Sequence, residues 1–322
     1  MQDTRFNSRA LLGIALRRGG QAGAVALLVG TLSFFMMRWL PGDFAYRIAA
    51  GRYGYDLVSA EAAEAVRREL GLDAPWYTAL ADWWLQLLRL DLGESLVTGH
   101  RIIDEVAHQL GHTLSLAFAA IALSVVIALP LGIVAGLRPR GWADRLGEGA
   151  AIALRAFPPF LLGLLLVIAA ANLSDAIPAA GHGEAANLLL PALTLALGLA
   201  AASSRVARES VARVVASDYY AFALTKGLSP RLALWRHGVR NAALPVIAYL
   251  GVQLAFVIEG VVILETLFAW PGIGHALVHA VFWRDVPMIQ GTCLMLGLCF
   301  VLLNAAVDLA CLLLDPRRRR GT

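Results

Sequence analysis

Lysine is almost missing from this chain: of 27 basic residues, only Lys226 is one. Charge of any kind is scarce, at 16% of 322 residues against 59% hydrophobic. The mean hydropathy is +0.67. A soluble domain of this length carries more charge and fewer unbroken apolar runs, so composition places the chain in a membrane. The lone lysine follows Thr225, so no GxxxxGK[ST] phosphate loop can be written, and ATP cannot be held in that manner. Any ATP-driven role therefore needs a separate motor subunit. Cysteine is also rare. Cys293, Cys299 and Cys311 fall in the last apolar run with neither metal nor redox spacing, and they read as small apolar residues. No Ser/His/Asp or paired-carboxylate arrangement suggests catalysis, and no internal repeat is visible. A net charge of +4 would suit nucleic acid, but the arginines sit beside apolar runs, as membrane topology requires.

Six runs approach the roughly 20 apolar residues of a spanning helix: 20–37, 114–137, 150–173, 188–204, 242–264 and 287–314. The first is followed by Arg38-Trp39-Leu40-Pro41 rather than a small-residue cleavage site, so it reads as a retained anchor. Arginines precede the first run and recur between the second and third, between the fourth and fifth, and after the sixth. With six spans all four clusters fall on one side, the cytoplasmic one, with both termini. The opposite side receives residues 41–111, rich in acids. There, Ser59 to Gly71 reads as a helix with a serine cap and a glycine stop. Trp76, Tyr77, Trp83 and Trp84 suit an interfacial aromatic belt.

The polar interruption at 218–251 has its own grammar. Gly227 can take the left-handed conformation that closes one short helix, Ser229 can cap the next, and Pro230 fits the first turn of that second helix. Leu232, Trp235, Val239 and Ala242 follow at helical spacing and make one apolar face that must pack on something.

This segment resembles the EAA loop of type I ABC importer permeases, the element that docks into the motor ATPase. Four further stretches are similar to the B-type permease subunit of the dipeptide/oligopeptide/nickel importer family. They are Leu40-Pro-Gly-Asp43; Gly71-Leu-Asp-Ala-Pro75 with Leu90-Asp-Leu-Gly-Glu-Ser95; Glu265-Thr-Leu-Phe-Ala-Trp-Pro-Gly-Ile-Gly274 with Arg284-Asp285 and Gln290-Gly291; and Val307-Asp-Leu with Leu314-Asp-Pro-Arg317. There are departures. Ala221, with Phe222 and Ala223, stands where the EAA pattern begins with an acid, and His237-Gly-Val-Arg240 delays Leu244-Pro245 by five residues, a delay the peptide/nickel subfamily shares. Glu259 replaces a small or hydroxyl residue.

The resemblance implies an all-α membrane protein with six transmembrane helices in the MetI-like fold. Its parts would be a cytoplasmic N-terminus (1–19), a first helix (20–39), a periplasmic segment (40–111), a five-helix permease core (112–314) with cytoplasmic coupling helices near 211–241, and a basic tail (315–322). It implies a bacterial inner-membrane location and a heterodimer with a second homologous permease. Two ABC ATPases that bind ATP and Mg, and an extracytoplasmic solute-binding protein, complete the assembly. The chain itself would be no enzyme, hold no cofactor and bind no nucleic acid. Ala221, Phe222, Ala223, Lys226, Gly227, Ser229 and Pro230 would couple to the ATPase. Glu259, a carboxylate in the fifth run, would face the translocation path or a neighbouring helix. Glu265, Trp270, Pro271, Gly272, Gly274, Arg284 and Asp285 would form an external gate or loop. Asp308 reads as a structural contact, and Arg155 as snorkelling to the headgroups. Di- and oligopeptides are the expected cargo, with nickel or metallophore complexes, glutathione or opine-like solutes as alternatives, and a stand-alone secondary transporter or channel as the rival class. His108/His112, with Glu105 a turn earlier, and His275/His279 are pairs at i,i+4. Neither has a full ligand set, so no metal is assigned.

Overall fold

The computed structural model describes residues 8–39, 42–54, 58–70, 75–89, 91–173, 178, 180–181, 183 and 185–314. Among them the structure is helical, and the one β pairing is a single bridge between Glu94 and Arg101. The helices are α1 (Ser8–Trp39), α2 (Phe44–Tyr53), α3 (Ala60–Glu69), α4 (Trp76–Leu88), α5 (Ile102–Leu137), α6 (Trp142–Ala156), α7 (Pro159–Leu173), α8 (Leu189–Val215), α9 (Asp218–Thr225), α10 (Pro230–Ala233), α11 (Val239–Gly260), α12 (Val262–Leu267), α13 (Ile273–Trp283) and α14 (Val286–Leu314).

Among the described residues, four stretches are long and apolar enough to cross a bilayer: Leu12–Met36, Ile102–Leu137, Ala186–Val215 and Val286–Leu312. The expected third span differs from a straight rod. Helices α6 and α7 qualify only as a pair bent by 101°. The cause is local: a residue before proline is pushed out of the helical region, and Phe157 sits at φ −85°, ψ 130°. Pro158 accepts the first bonds of the next helix, from the N–H groups of Leu161 and Leu162. The expected fifth span is α11, Val239–Gly260 with Pro245 inside it, followed directly by α12.

The contacts divide the chain into two units, one of 114–270 with both chain ends, and one of 17–113 with 271–301. In the first, α8 is central and packs against α6, α7 and α11. Glycines allow close approach: Gly132 and Gly136 of α5 lie on the backbone of α8, and Gly251 of α11 lies under Val307. Gln253 of α11 donates to the Ser203 hydroxyl of α8 at 3.1 Å. In the second unit, α2 and α3 share a core of Ala45, Ile48, Ala49, Ala63 and Val66. Ser59 caps α3 through the Ala62 N–H. The Trp83 ring of α4 covers Gly30 of α1. A second core joins Ile102 and Val106 to Ile273, Ala280, Met288 and Ile289.

Large apolar side chains remain uncovered. Leu27, Leu28 and Leu32 of α1, Val126, Leu131 and Val134 of α5, and Leu302 of α14 are all more than half exposed. Apolar surface this extensive belongs against lipid or another chain.

Candidate functional site

The corner between α9 and α10 is built by its own residues. After α9 the Gly227 N–H bonds to the Leu224 carbonyl at 2.9 Å, and the Leu228 N–H to that of Ala223 at 3.2 Å. This is the paired closure that needs a left-handed residue, and Gly227 supplies it at φ 87°. Ser229 accepts the Leu232 N–H, and Pro230 occupies the first helical turn. The Tyr220 hydroxyl donates to the Pro230 carbonyl at 3.2 Å and pins the corner shut. Tyr220, Ala223 and Ala233 sink into a core with Val211, Val214 and Ala242. Between α10 and α11 the chain makes one wide π turn, Leu234–Gly238. A Cβ on Gly238 would stand 2.8 Å from Leu234 and 2.9 Å from Val214.

The outward side of the corner is apolar. Ala221 and Phe222 are exposed, and the Lys226 ammonium lies 4.5 Å from the centre of the Phe222 ring. The helical spacing of Leu232, Trp235, Val239 and Ala242 predicts a buried face, but this chain buries only the last. Ala242 is 8% exposed, whereas Leu232 is 50%, Trp235 76% and Val239 41%. Periodicity identified a face; among the described residues most of it is left uncovered.

A second assembly draws together motifs far apart in sequence. Ser95 donates its hydroxyl proton to Asp285, and the Leu96 N–H reaches the same carboxylate at 3.1 Å. Asp285 also caps α14 through the Met288 N–H at 3.3 Å. Burial pushes the Asp285 carboxyl above its ordinary value, and its donors, Ser95 first, offset part of that rise. Arg284, left-handed at φ 54°, donates to the Gly42 carbonyl at 3.0 Å. Asp43 caps α2 and accepts Arg67 at 2.9 Å. Arg52 joins the Leu96 carbonyl to Glu69, and Gly291 lies against Ile102 and Leu92. Residues of three separated motifs, 42–43, 91–95 and 284–291, thus form one locked cluster.

The other sequence candidates are dispersed. Gly272 caps α13 in extended conformation, Pro271 and the buried Gly274 flank it, and the Ile273 N–H donates to Thr113 at 2.9 Å. Glu265 and Trp270 are buried in the other unit, where the Trp270 N–H bonds the Glu265 carbonyl at 2.8 Å. The Glu259 side chain, Leu40, Pro41, Gly71 to Asp73 and the basic tail lie outside the described residues.

Sequence reasoning passed over Asp144, which is 8% exposed. Arg208 of α8 grips it in a two-point fork at 2.9 and 2.7 Å, and the Arg140 N–H adds a third bond at 2.7 Å. The one local signal was an acid in the first turn of a helix, where the dipole favours it. Arg208→Ala removes the fork from a nearly buried carboxylate. Breaking such a pair costs about 3–5 kcal/mol when both partners are buried and under about 1 kcal/mol when both are exposed; with Arg208 36% exposed we expect a loss between the two. Thermal melting of the purified variant reads it, and an unchanged melting temperature would remove the pair from the stabilising set.

Several apolar crossings, and a helical corner that shows an uncovered apolar face, describe a multi-pass membrane component that works with other chains. Residues 128–320 match the binding-protein-dependent transport system inner membrane component. A glutathione transport system permease protein of Pectobacterium atrosepticum is 36% identical over 293 residues, 91% of this chain and 94% of that protein. A putative peptide transport system permease protein of Brucella abortus is 36% identical over 314 residues, 95% and 98% of the two chains. Two solved structures share the fold at a TM-score of 0.52: an amino acid ABC transporter, 14% identical, covering 68% of this chain and 94% of that one, and the MetNI methionine ABC transporter in an inward-facing conformation, 15% identical, covering 66% and 97%. The chain belongs to the binding-protein-dependent transport system inner membrane component family. It is a permease subunit of the inner membrane, and ATPase and binding-protein partners come with that family.

Proposed function

We propose that the chain pairs with a second, homologous permease to form half of a translocation pathway for di- and oligopeptides, glutathione among them. Two ATPases, which would carry the ATP and Mg, drive it through the corner at 218–238. The observation that carries this reading is the uncovered apolar face of Phe222, Leu232 and Trp235 on a corner otherwise fixed by its own hydrogen bonds. A rigid corner with an apolar outer face can transmit a push; a flexible loop cannot. The arginine clusters support a cytoplasmic position for this corner, with both termini, and an external one for 41–111. The peptide and glutathione relatives support the cargo class.

Gly227→Val tests the coupling role. Space is no obstacle, since nothing lies within 4 Å of a Cβ at this position, but the left-handed backbone costs a β-branched residue on the order of 1–2 kcal/mol. The corner then opens while the rest of the chain folds. In nanodiscs, the complex should lose the rise in ATP hydrolysis caused by the loaded binding protein and still bind that protein. Full stimulation and transport in the valine variant would take the coupling role away from this corner.

A further inference from the structure

Two pairs of imidazoles in the second unit have the geometry of metal ligands. The Nε2 atoms of His275 and His279, one turn apart on α13, stand 3.2 Å from each other. Those of His108 and His112 on α5 stand 3.3 Å apart. These separations stand at the long end of the ~2.7–3.2 Å range of an ordinary N–H hydrogen bond. Nitrogens bound at ~2.0–2.1 Å to one tetrahedral ion are about 3.3 Å apart, the edge of the tetrahedron. Both pairs therefore hold their Nε2 atoms at ligand spacing.

The surroundings suit a cation. His108, His275 and His279 line one cavity of about 340 Å³ together with Glu105. The Glu105 side chain is already oriented by the Thr98 hydroxyl at 2.8 Å and His100 at 3.1 Å. The His279 ring leans on Trp283 with centroids 5.2 Å apart, which fixes its direction. Burial first, and then the neighbouring His279, push the His275 imidazole below its ordinary pKa. Among the described residues no three His, Cys, Asp or Glu side chains form a metal-holding group, so water must complete each shell. Sites of two imidazoles and water suit borderline ions such as zinc, copper, nickel and cobalt rather than calcium or magnesium.

We propose that divalent transition-metal ions bind here, one at His275/His279 in this cavity and one at His108/His112, of which His108 lines it. Each ion bridges a single helical turn and stiffens the wall of the cavity. The proposal is independent of the transport reading and of the orientation in the membrane.

The test is calorimetric titration of ZnCl2, and spectroscopic titration of CuCl2, into the full complex in nanodiscs. The complex is stripped with chelator, free of nucleotide and purified without a polyhistidine tag. His279→Ala should bind one ion fewer per complex than wild type, and the double variant His108→Ala/His279→Ala two fewer. His279→Gln keeps a hydrogen-bonding side chain on the same turn and should lose the same ion, which separates ligation from packing. Magnesium should compete with neither site. Equal stoichiometry in wild type and the double variant would overturn the proposal. So would retention of the ion by His279→Gln.

Discussion

Gly136→Leu is expected to leave almost no folded protein in the membrane. A Cβ at this position would stand 2.6 Å from the Arg208 carbonyl oxygen and 2.8 Å from the Val211 Cβ. One turn earlier, a Cβ on Gly132 would stand 2.7 Å from the Ser204 carbonyl oxygen and 2.6 Å from the Ala207 Cβ. Two of these neighbours are backbone oxygens and two are Cβ atoms, none of which can rotate away as the end of a long side chain can. The spacing Gly132-x-x-x-Gly136 puts both glycines on one face, the arrangement that lets two helices in a membrane approach closely. Overpacking an interior costs about 1–3 kcal/mol even where side chains can yield. Here α5 would have to lift off α8 and disturb the backbone that presents Arg208 to Asp144. Gly149→Leu on α6, where nothing lies within 4 Å of a Cβ, is the matched control. Size-exclusion profiles and melting temperatures should separate the two sharply. A monodisperse Gly136→Leu protein that melts like the control would show that α5 and α8 do not meet this closely.

Asp285→Ala should be nearly as damaging, for a reason of hydrogen-bond accounting. The carboxylate takes the Ser95 hydroxyl and the N–H groups of Leu96 and Met288. Ser95 and Asp285 are 4% and 3% exposed, so water cannot step in without the cluster opening. Each buried donor left alone costs about 1–3 kcal/mol, and three donors lose their acceptor together. Asp285→Asn is the sharper variant. A serine oxygen has two lone pairs, and those of Ser95 accept Val97 and Thr98. Its proton must therefore find an acceptor in residue 285. An asparagine whose oxygen serves Leu96 and Met288 turns its NH2 towards Ser95, donor against donor. We expect Asp285→Asn to lose at least half as much melting temperature as Asp285→Ala. A wild-type melting temperature for the asparagine variant would mean that the carboxylate does not anchor Ser95.

The local chemistry of 218–230 could be read from the sequence because every device in it acts within five residues: a glycine at positive φ, a serine cap, a proline in the first turn. The bend after Ala156 was written just as locally in Phe157-Pro158-Pro159. A hydropathy count passes over it, because those residues are as apolar as the helices they part. The Ser95–Asp285 and Asp144–Arg208 contacts were beyond such reasoning, since 190 and 64 positions separate the partners. Residues 95 and 285 each stand in a recognisable motif, and nothing in either motif says that one holds the other. Arg208 was counted as a topological charge, which gives a side of the membrane and no partner. The face of Leu232, Trp235 and Val239 shows the opposite limit. Its periodicity is plain, and periodicity alone does not say whether a face is covered within the chain: Leu232, Trp235 and Val239 are exposed.

The scarcity of lysine leaves the molecule with a single chemical handle. Apart from the α-amino group, an acylating dye has one amine to find, and it lies over the Phe222 ring on the open side of the corner. A protease that cuts after lysine has one bond to find there too, between residues 226 and 227. The speed of either reaction is therefore a clock for occupancy of that corner, readable on the unmutated protein and at every stage of a working cycle.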